Sequence, residues 1–194
     1  MPILSFLLFV FISSFTPGPN NIMSMAFANK HGYKKTIRFC LGVGVGFFLI
    51  TLLCSFFNNI LISALPIIEL PLTILGVTYM LYLAYKILTS KELDDGNNES
   101  NSNGFFIGIL LQFVNPKGIL FGITVVSTFI LPYYNSYFSY FLFSLFLGIV
   151  GVMSTFSWSL FGSIFQKHIL QYRQQFNIAM AVLLAYSAFS ILIK

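Results

Sequence analysis

The sequence predicts an all-α membrane protein: six transmembrane helices arranged as two inverted three-helix repeats, with helices 1 and 4 broken at proline motifs. Three observations predict it. Hydrophobic residues make up 57% of the 194 and charged residues only 8%, with a mean hydropathy of +0.87. A soluble domain carries about 25% charged residues. The apolar residues fall into six runs, each near the ~20 residues a helix needs to cross a bilayer. Two of those runs, the first and the fourth, carry a proline beside an asparagine at mid-length.

The first run spans 3–27 and contains Thr16-Pro17-Gly18-Pro19-Asn20-Asn21. Pro17 and Pro19 lack a backbone N–H and clash with the preceding turn, so a helix cannot cross them unbroken. Pro19 suits the first position of a new half-helix, with Thr16 or Gly18 near its cap. The second run, 37–61, carries Gly42, Gly44 and Gly46. Gly42-xxx-Gly46 is a close-packing pattern for helices. Cys40 and Cys54 share this run, about 21 Å apart along a helix. That separation forbids a bridge between them and leaves two small buried hydrophobes.

A third run spans 66–88. Residues 89–104 are polar with one large apolar residue and cannot bury enough surface to order themselves. They read as a cytoplasmic linker between two halves of one membrane domain, 1–88 and 105–194. The fourth run, 105–129, holds Gln112-Phe113-Val114-Asn115-Pro116-Lys117-Gly118. Asn115 can cap a half-helix that starts at Pro116. The fifth run, 136–165, carries Gly148, Gly151, Ser154 and Ser157 at three-residue spacing, which reads as a helix contact face. Its Trp158 suits either a cavity or lipid. The sixth run spans 176–193.

Eight Lys and Arg lie in or beside the first, third and fifth connections; the second and fourth have none. Cytoplasmic loops carry the excess of Lys and Arg. The odd connections therefore face the cytoplasm and both termini face outward. Met1 to Val10 has no basic region, so a cleaved signal peptide is not expected.

In hydrocarbon, backbone groups freed by a break must be paired, so breaks persist where protein or a polar cavity surrounds them. Proline-interrupted runs at corresponding positions of two halves point to a transporter's binding site. Two half-helix N-termini would bring N–H groups and positive dipole ends to one cavity suited to a carboxylate. Lys117 is the one charged residue deep in an apolar run. Such a cation costs about 2.5–3.5 kcal/mol at a helix centre. It could instead cap carbonyls that the break frees; the expectation is that it holds a substrate carboxylate. Gln112 and Asn115, three apart, share a helix face beside it. The candidate binding residues are Thr16, Pro17, Gly18, Pro19, Asn20, Asn21, Gln112, Asn115, Pro116 and Lys117.

At these residues the chain resembles the LysE/RhtB amino-acid exporters. Thr16 to Asn21, His31-Gly32, Asn115 to Gly118 and Gly76-x-x-Tyr79-x-x-Tyr82-Leu83 carry the resemblance, which covers the whole length. Gln112 to Asn115, Ser127-Thr128-Phe129 with Leu131-Pro132, and Gln171-Tyr172 with Gln175 to Ile178 are similar to the cysteine/O-acetylserine branch. That branch implies export of cysteine or O-acetylserine across a bacterial inner membrane. Many members have Asp where this chain has Asn20. The change removes a proton-carrying carboxylate and suits a zwitterion better than a dibasic substrate. Proton coupling and self-association stay open.

No Ser/His/Asp set, phosphate loop, metal-ligand cluster or aromatic-basic stripe occurs in the sequence. An enzyme, a cofactor, a bound metal and a nucleic-acid partner are therefore not expected; the expected partners are the amino-acid substrate and the lipid bilayer. His31 and His168 read as solvated loop residues. The rivals are an exporter of homoserine, threonine, basic amino acids or an ion, an intramembrane redox enzyme, and a non-transporting membrane subunit.

Overall fold

The computed structural model describes residues 1–89 and 104–192. The expected linker, apart from its two end residues, lies outside them. All regular structure among the described residues is helical. The helices are α1 (Ile3–Phe15), α2 (Pro19–His31), α3 (Tyr33–Phe56), α4 (Asn58–Thr89), α5 (Gly104–Val114), α6 (Pro116–Val125), α7 (Tyr137–Ile164), α8 (Gln166–Gln171) and α9 (Arg173–Leu192). A π-helical turn, Val126–Ile130, continues α6.

Among the described residues, three stretches are long and apolar enough to cross a membrane alone: α3, α7, and Glu69–Thr89 within α4. Two bent pairs raise the number to five. α1 and α2 meet at 48°, and α5 meets α6 with its π turn at 67°. Both bends fall at the expected prolines. Pro19 and Pro116 each occupy a first helical turn, with Gly18 and Asn115 as the N-caps. α9 is 20 residues long and is not among these spans.

One boundary differs from the sequence reading. The second and third runs were expected to join at 62–65, before Pro66. The structure ends α3 at Phe56, turns at Phe57, and starts α4 at Asn58, with Pro66 and Pro71 inside the helix. The polar pair Asn58-Asn59, not the proline, marks the end of the second apolar helix. Within an apolar surround each proline removes one backbone bond without offering the chain a better alternative, so the helix continues.

α3 lies at the centre, packed between α5 and α7; α2 lies against α7, and α4 pairs with α9. In lipid, close approach rather than water exclusion holds such pairs together. Glycines supply it. A Cβ on Gly42 would run into the backbone carbonyl of Phe105, and one on Gly108 into that of Phe39. Between α3 and α7, a Cβ on Gly44 would sit 2.9 Å from the Gly148 carbonyl oxygen, and one on Gly148 3.0 Å from that of Gly44. The contact faces expected around Gly42, Gly46 and Gly148 are therefore present. Gly108→Val forces two backbones apart and should cost at least about 1–3 kcal/mol. The expected result is a clear drop in folded protein recovered from membranes, read by fluorescence-detected gel filtration.

Gly32, between α2 and α3, has φ 79, a conformation that side chains other than glycine rarely adopt. It explains the glycine of the His31-Gly32 pair. Two apolar clusters flank the breaks. One joins Phe6 and Val10 of α1 to Phe47, Phe121, Val125 and Leu147. The other joins Ile22 of α2 to Met80, Ala84, Leu184 and Ala188. The first break lies in sequence between Val10 of one cluster and Ile22 of the other.

Candidate functional site

A proline break strips the helix before it of partners for its last carbonyls, and buried carbonyls need partners. The first break shows where they are found. Ser13 O accepts from the Thr16 hydroxyl at 3.0 Å. Ser14 O accepts from Asn21 Nδ2 at 2.8 Å and lies 2.7 Å from the Ser154 hydroxyl. Phe15 O accepts from Trp158 Nε1 at 3.1 Å. Thr16 O accepts from Asn21 Nδ2 at 2.9 Å and from Lys117 Nζ at 3.1 Å. Pro17 O accepts from Lys117 Nζ at 3.2 Å and from the Ser187 hydroxyl at 2.8 Å. Four other helices, α2, α6, α7 and α9, thus serve the loose end of α1.

Lys117 reaches this end from the second break. Its ammonium also donates to Thr16 Oγ1 at 2.9 Å. The arrangement is a C-terminal cap: a cation set against the negative end of the α1 dipole. The capping alternative considered for Lys117 is therefore the arrangement seen here. Gly18 makes room for it, since a Cβ there would sit 3.1 Å from Lys117 Cδ and 3.3 Å from Nζ. Gly118 does the same for Gln112, whose side-chain amide would collide with a Cβ at that position. Gln112 Oε1 in turn accepts from Asn20 Nδ2. The two motifs are keyed to each other, each glycine admitting a side chain that serves the opposite break.

Between the breaks lies a cavity of about 60 Å³. A single water needs about 10–15 Å³ by the same measure, so several waters or one small amino acid fit. The first break contributes Ser13, Ser14, Gly18, Asn20 and Asn21 to its wall; the second contributes Gln112, Asn115, Lys117, Gly118 and Phe121. Val43 and Phe47 of α3 and Gly151, Ser154 and Thr155 of α7 close it. No carboxylate is among these residues. Neither α2 nor α6 has a side-chain cap, so the first-turn N–H groups of both lack intrahelical partners beside the cavity.

Six of the ten expected residues thus meet at one cavity: Gly18, Asn20, Asn21, Gln112, Asn115 and Lys117. The other four do not line it. Thr16 and Pro17 present backbone carbonyls to Lys117, while Pro19 and Pro116 start the half-helices. Pro116 also packs against Gly76, where a Cβ would strike its ring. That contact gives the glycine of the Gly76-x-x-Tyr79 pattern a role. Asn21 is held tightly, with Nδ2 on two carbonyls and Oδ1 3.1 Å from the Ser154 hydroxyl.

Sequence reasoning missed Ser13, Ser14, Thr155 and Ser187, and read Ser154 as helix contact only. A serine pair directly before a proline break was the one available signal for Ser13 and Ser14. Trp158 is absent from the cavity wall, and its indole N–H caps α1 through Phe15 O. Cys40 and Cys54 are buried, unbridged and absent from the cavity wall. No group of His, Cys, Asp and Glu among the described residues could hold a metal ion.

Comparison with known proteins bears on the same residues. A model of the LysE type translocator matches residues 11–194, a range that contains both breaks. Proteins named cysteine/O-acetylserine efflux protein from Salmonella typhimurium (strain LT2) and Escherichia coli (strain K12) are 38% and 36% identical to the chain over 184 residues. Each alignment covers 95% of this chain and 94% of the relative. The protein of that name from Salmonella paratyphi A is 37% identical over the same length. No solved structure matches. On these matches, the chain belongs to the LysE type translocator family.

Proposed function

We propose that the protein exports small neutral amino acids, cysteine and O-acetylserine foremost, across a bacterial inner membrane. It works by alternating access of two inverted three-helix halves. The observation that carries this reading is the cavity shared by two proline breaks, with an ammonium from one break bound at the other. The names of the relatives support the substrates and the direction.

The packing supports the two-half scheme. If 1–88 and 105–194 correspond, α1 and α2 answer to α5 and α6, α3 to α7, and α4 to α9. Exchange of the halves then leaves the α3–α7 and α4–α9 pairs in place and turns the α3–α5 pair into α1–α7. All four pairs occur. In this scheme α9 is the sixth span, the odd connections are cytoplasmic and both termini face outward. The protein carries its substrate unchanged.

Lys117 gives the cycle a coupling step. In the closed form its ammonium ties α6 to the end of α1. An incoming carboxylate, aided by the uncapped N–H groups of α2 and α6, competes for that ammonium with the Thr16 and Pro17 carbonyls. Both kinds of bond are charge-assisted, but only the carboxylate brings a full opposite charge, so the carboxylate wins and the tie between the halves loosens. The test is efflux of labelled amino acids from cells with and without the protein, across a substrate panel. Faster efflux of cysteine and O-acetylserine is expected. If Lys117→Ala and Asn20→Ala both export normally at normal protein levels, the site assignment fails.

A further inference from the structure

We propose that the unpaired carbonyl oxygens of Asn20 and Asn115 receive the substrate's α-ammonium group, so that the cavity selects free amino acids against their N-acylated forms. This rests on the reading of the cavity as an amino-acid site and assigns the second pole of that substrate.

Both side chains line the cavity and each is 5% exposed. Asn20 Oδ1 and Asn115 Oδ1 are buried without a hydrogen-bond partner. Buried polar oxygens are nearly always paired, and an unpaired one is costly. Ser14 Oγ is a third unpaired oxygen among the lining residues, but a hydroxyl can donate as well as accept; the two amide oxygens, one from each break, can only accept and mark a place where a donor is expected to arrive.

Their neighbours explain why they are free. Asn20 Nδ2 donates to Gln112 Oε1, which sets the orientation of the amide and leaves its oxygen without a partner. Asn115 is the N-cap of α6, with φ −78 and ψ 103. An asparagine there ordinarily turns its oxygen onto the first N–H groups of its helix. Here it makes no such bond. The helix end keeps its N–H donors and the side chain keeps its acceptor, which together fit the two poles of a zwitterion.

The chemistry fixes which pole goes where. A carbonyl oxygen accepts and cannot donate, so it attracts an ammonium and repels a carboxylate. The carboxylate is left to Lys117 and the uncapped helix ends. Because no carboxylate side chain lines the cavity, the ammonium is neutralised only by the substrate's own carboxylate. A des-carboxy amine would bring a second uncompensated cation beside Lys117. An N-acyl derivative has lost two N–H donors and the charge, and leaves at least one asparagine oxygen orphaned.

The test is competition in proteoliposomes of the full-length protein loaded with cysteine. External labelled cysteine is the probe; N-acetylcysteine, 3-mercaptopropionate and cysteamine are the competitors. A site built to bond an N–H donor rejects analogues that lack it strongly, so N-acetylcysteine and 3-mercaptopropionate should bind at least roughly 100-fold more weakly than cysteine. Cysteamine should also compete poorly. Asn115→Leu should raise the KM for cysteine while narrowing the gap to 3-mercaptopropionate, and Asn115→Asp should restore the gap. Equal competition by N-acetylcysteine in the wild-type protein overturns the ammonium assignment while leaving the exporter reading intact. Absence of any cysteine counterflow overturns both. The wild-type competition series does not depend on any variant folding.

Discussion

Replacing Lys117 with Met should lower cysteine counterflow by roughly 100-fold while leaving the protein folded in the membrane. The size follows from losing a charge-assisted bond to a carboxylate, worth about 1.5–3 kcal/mol. The sparing of the fold follows from the bonding around the first break. Lys117 serves Thr16 O and Pro17 O, but each has a second donor. Asn21 Nδ2 remains on Thr16 O at 2.9 Å, and the Ser187 hydroxyl on Pro17 O at 2.8 Å. A methionine of similar length fills the same channel over Gly18. Lys117→Arg keeps the charge and should still fail to restore wild-type rates. The Nζ already lies within 3.3 Å of the space above Gly18, and a guanidinium is wider than an ammonium. The measurement pairs counterflow with thermal unfolding in detergent. Full transport by the Met variant would reduce Lys117 to a strut. A collapse of both activity and folded protein would make it structural before functional.

The residues that break the helices were legible in the sequence because proline acts locally. Its missing N–H and fixed φ end a helix at a definable position, so Pro19 and Pro116 start half-helices where expected. Pro66 and Pro71 show the limit of that logic. The same residue type sits inside α4 because nothing around it rewards an ending. What closes the first break was not legible. Trp158, Ser154 and Ser187 lie more than a hundred residues from the carbonyls they serve. Each is an unremarkable polar residue in an apolar helix until packing brings it to α1. Lys117 was visible as a buried cation, but its partners are backbone carbonyls, which carry no sequence signature. The same holds for the two asparagine oxygens. Their type and position could be read, while their freedom from partners depends on the geometry of Gln112 and of the α6 cap.

The two adjacent asparagines of the first break should respond in opposite ways to the same change. Asn21→Asp should abolish accumulation of the protein, whereas Asn20→Asp should leave it folded. Asn21 uses both amide hydrogens on the backbone, donating to Ser14 O at 2.8 Å and Thr16 O at 2.9 Å. Aspartate has no such donors when ionised and would set a negative charge against two carbonyls at the negative end of α1. Each lost buried bond costs about 1–3 kcal/mol, and the repulsion adds to it. Together they approach the ~5–15 kcal/mol by which a typical fold is stable. Ser154→Ala should be milder, because Ser14 O keeps its Asn21 partner. Asn20, by contrast, makes its one bond to the Gln112 side chain, which can turn its own amide to donate to a carboxylate instead. The cost at position 20 is then small, and the effect moves from folding to selectivity. A carboxylate on the cavity wall offers the counter-charge that a dibasic substrate lacks in the wild-type site. Lysine should therefore begin to compete with cysteine in Asn20→Asp and not in the parent. Protein recovered from membranes reads the first half of this contrast, and counterflow competition by lysine reads the second. Equal recovery of the two variants would mean that the first break does not depend on Asn21 for its carbonyl partners.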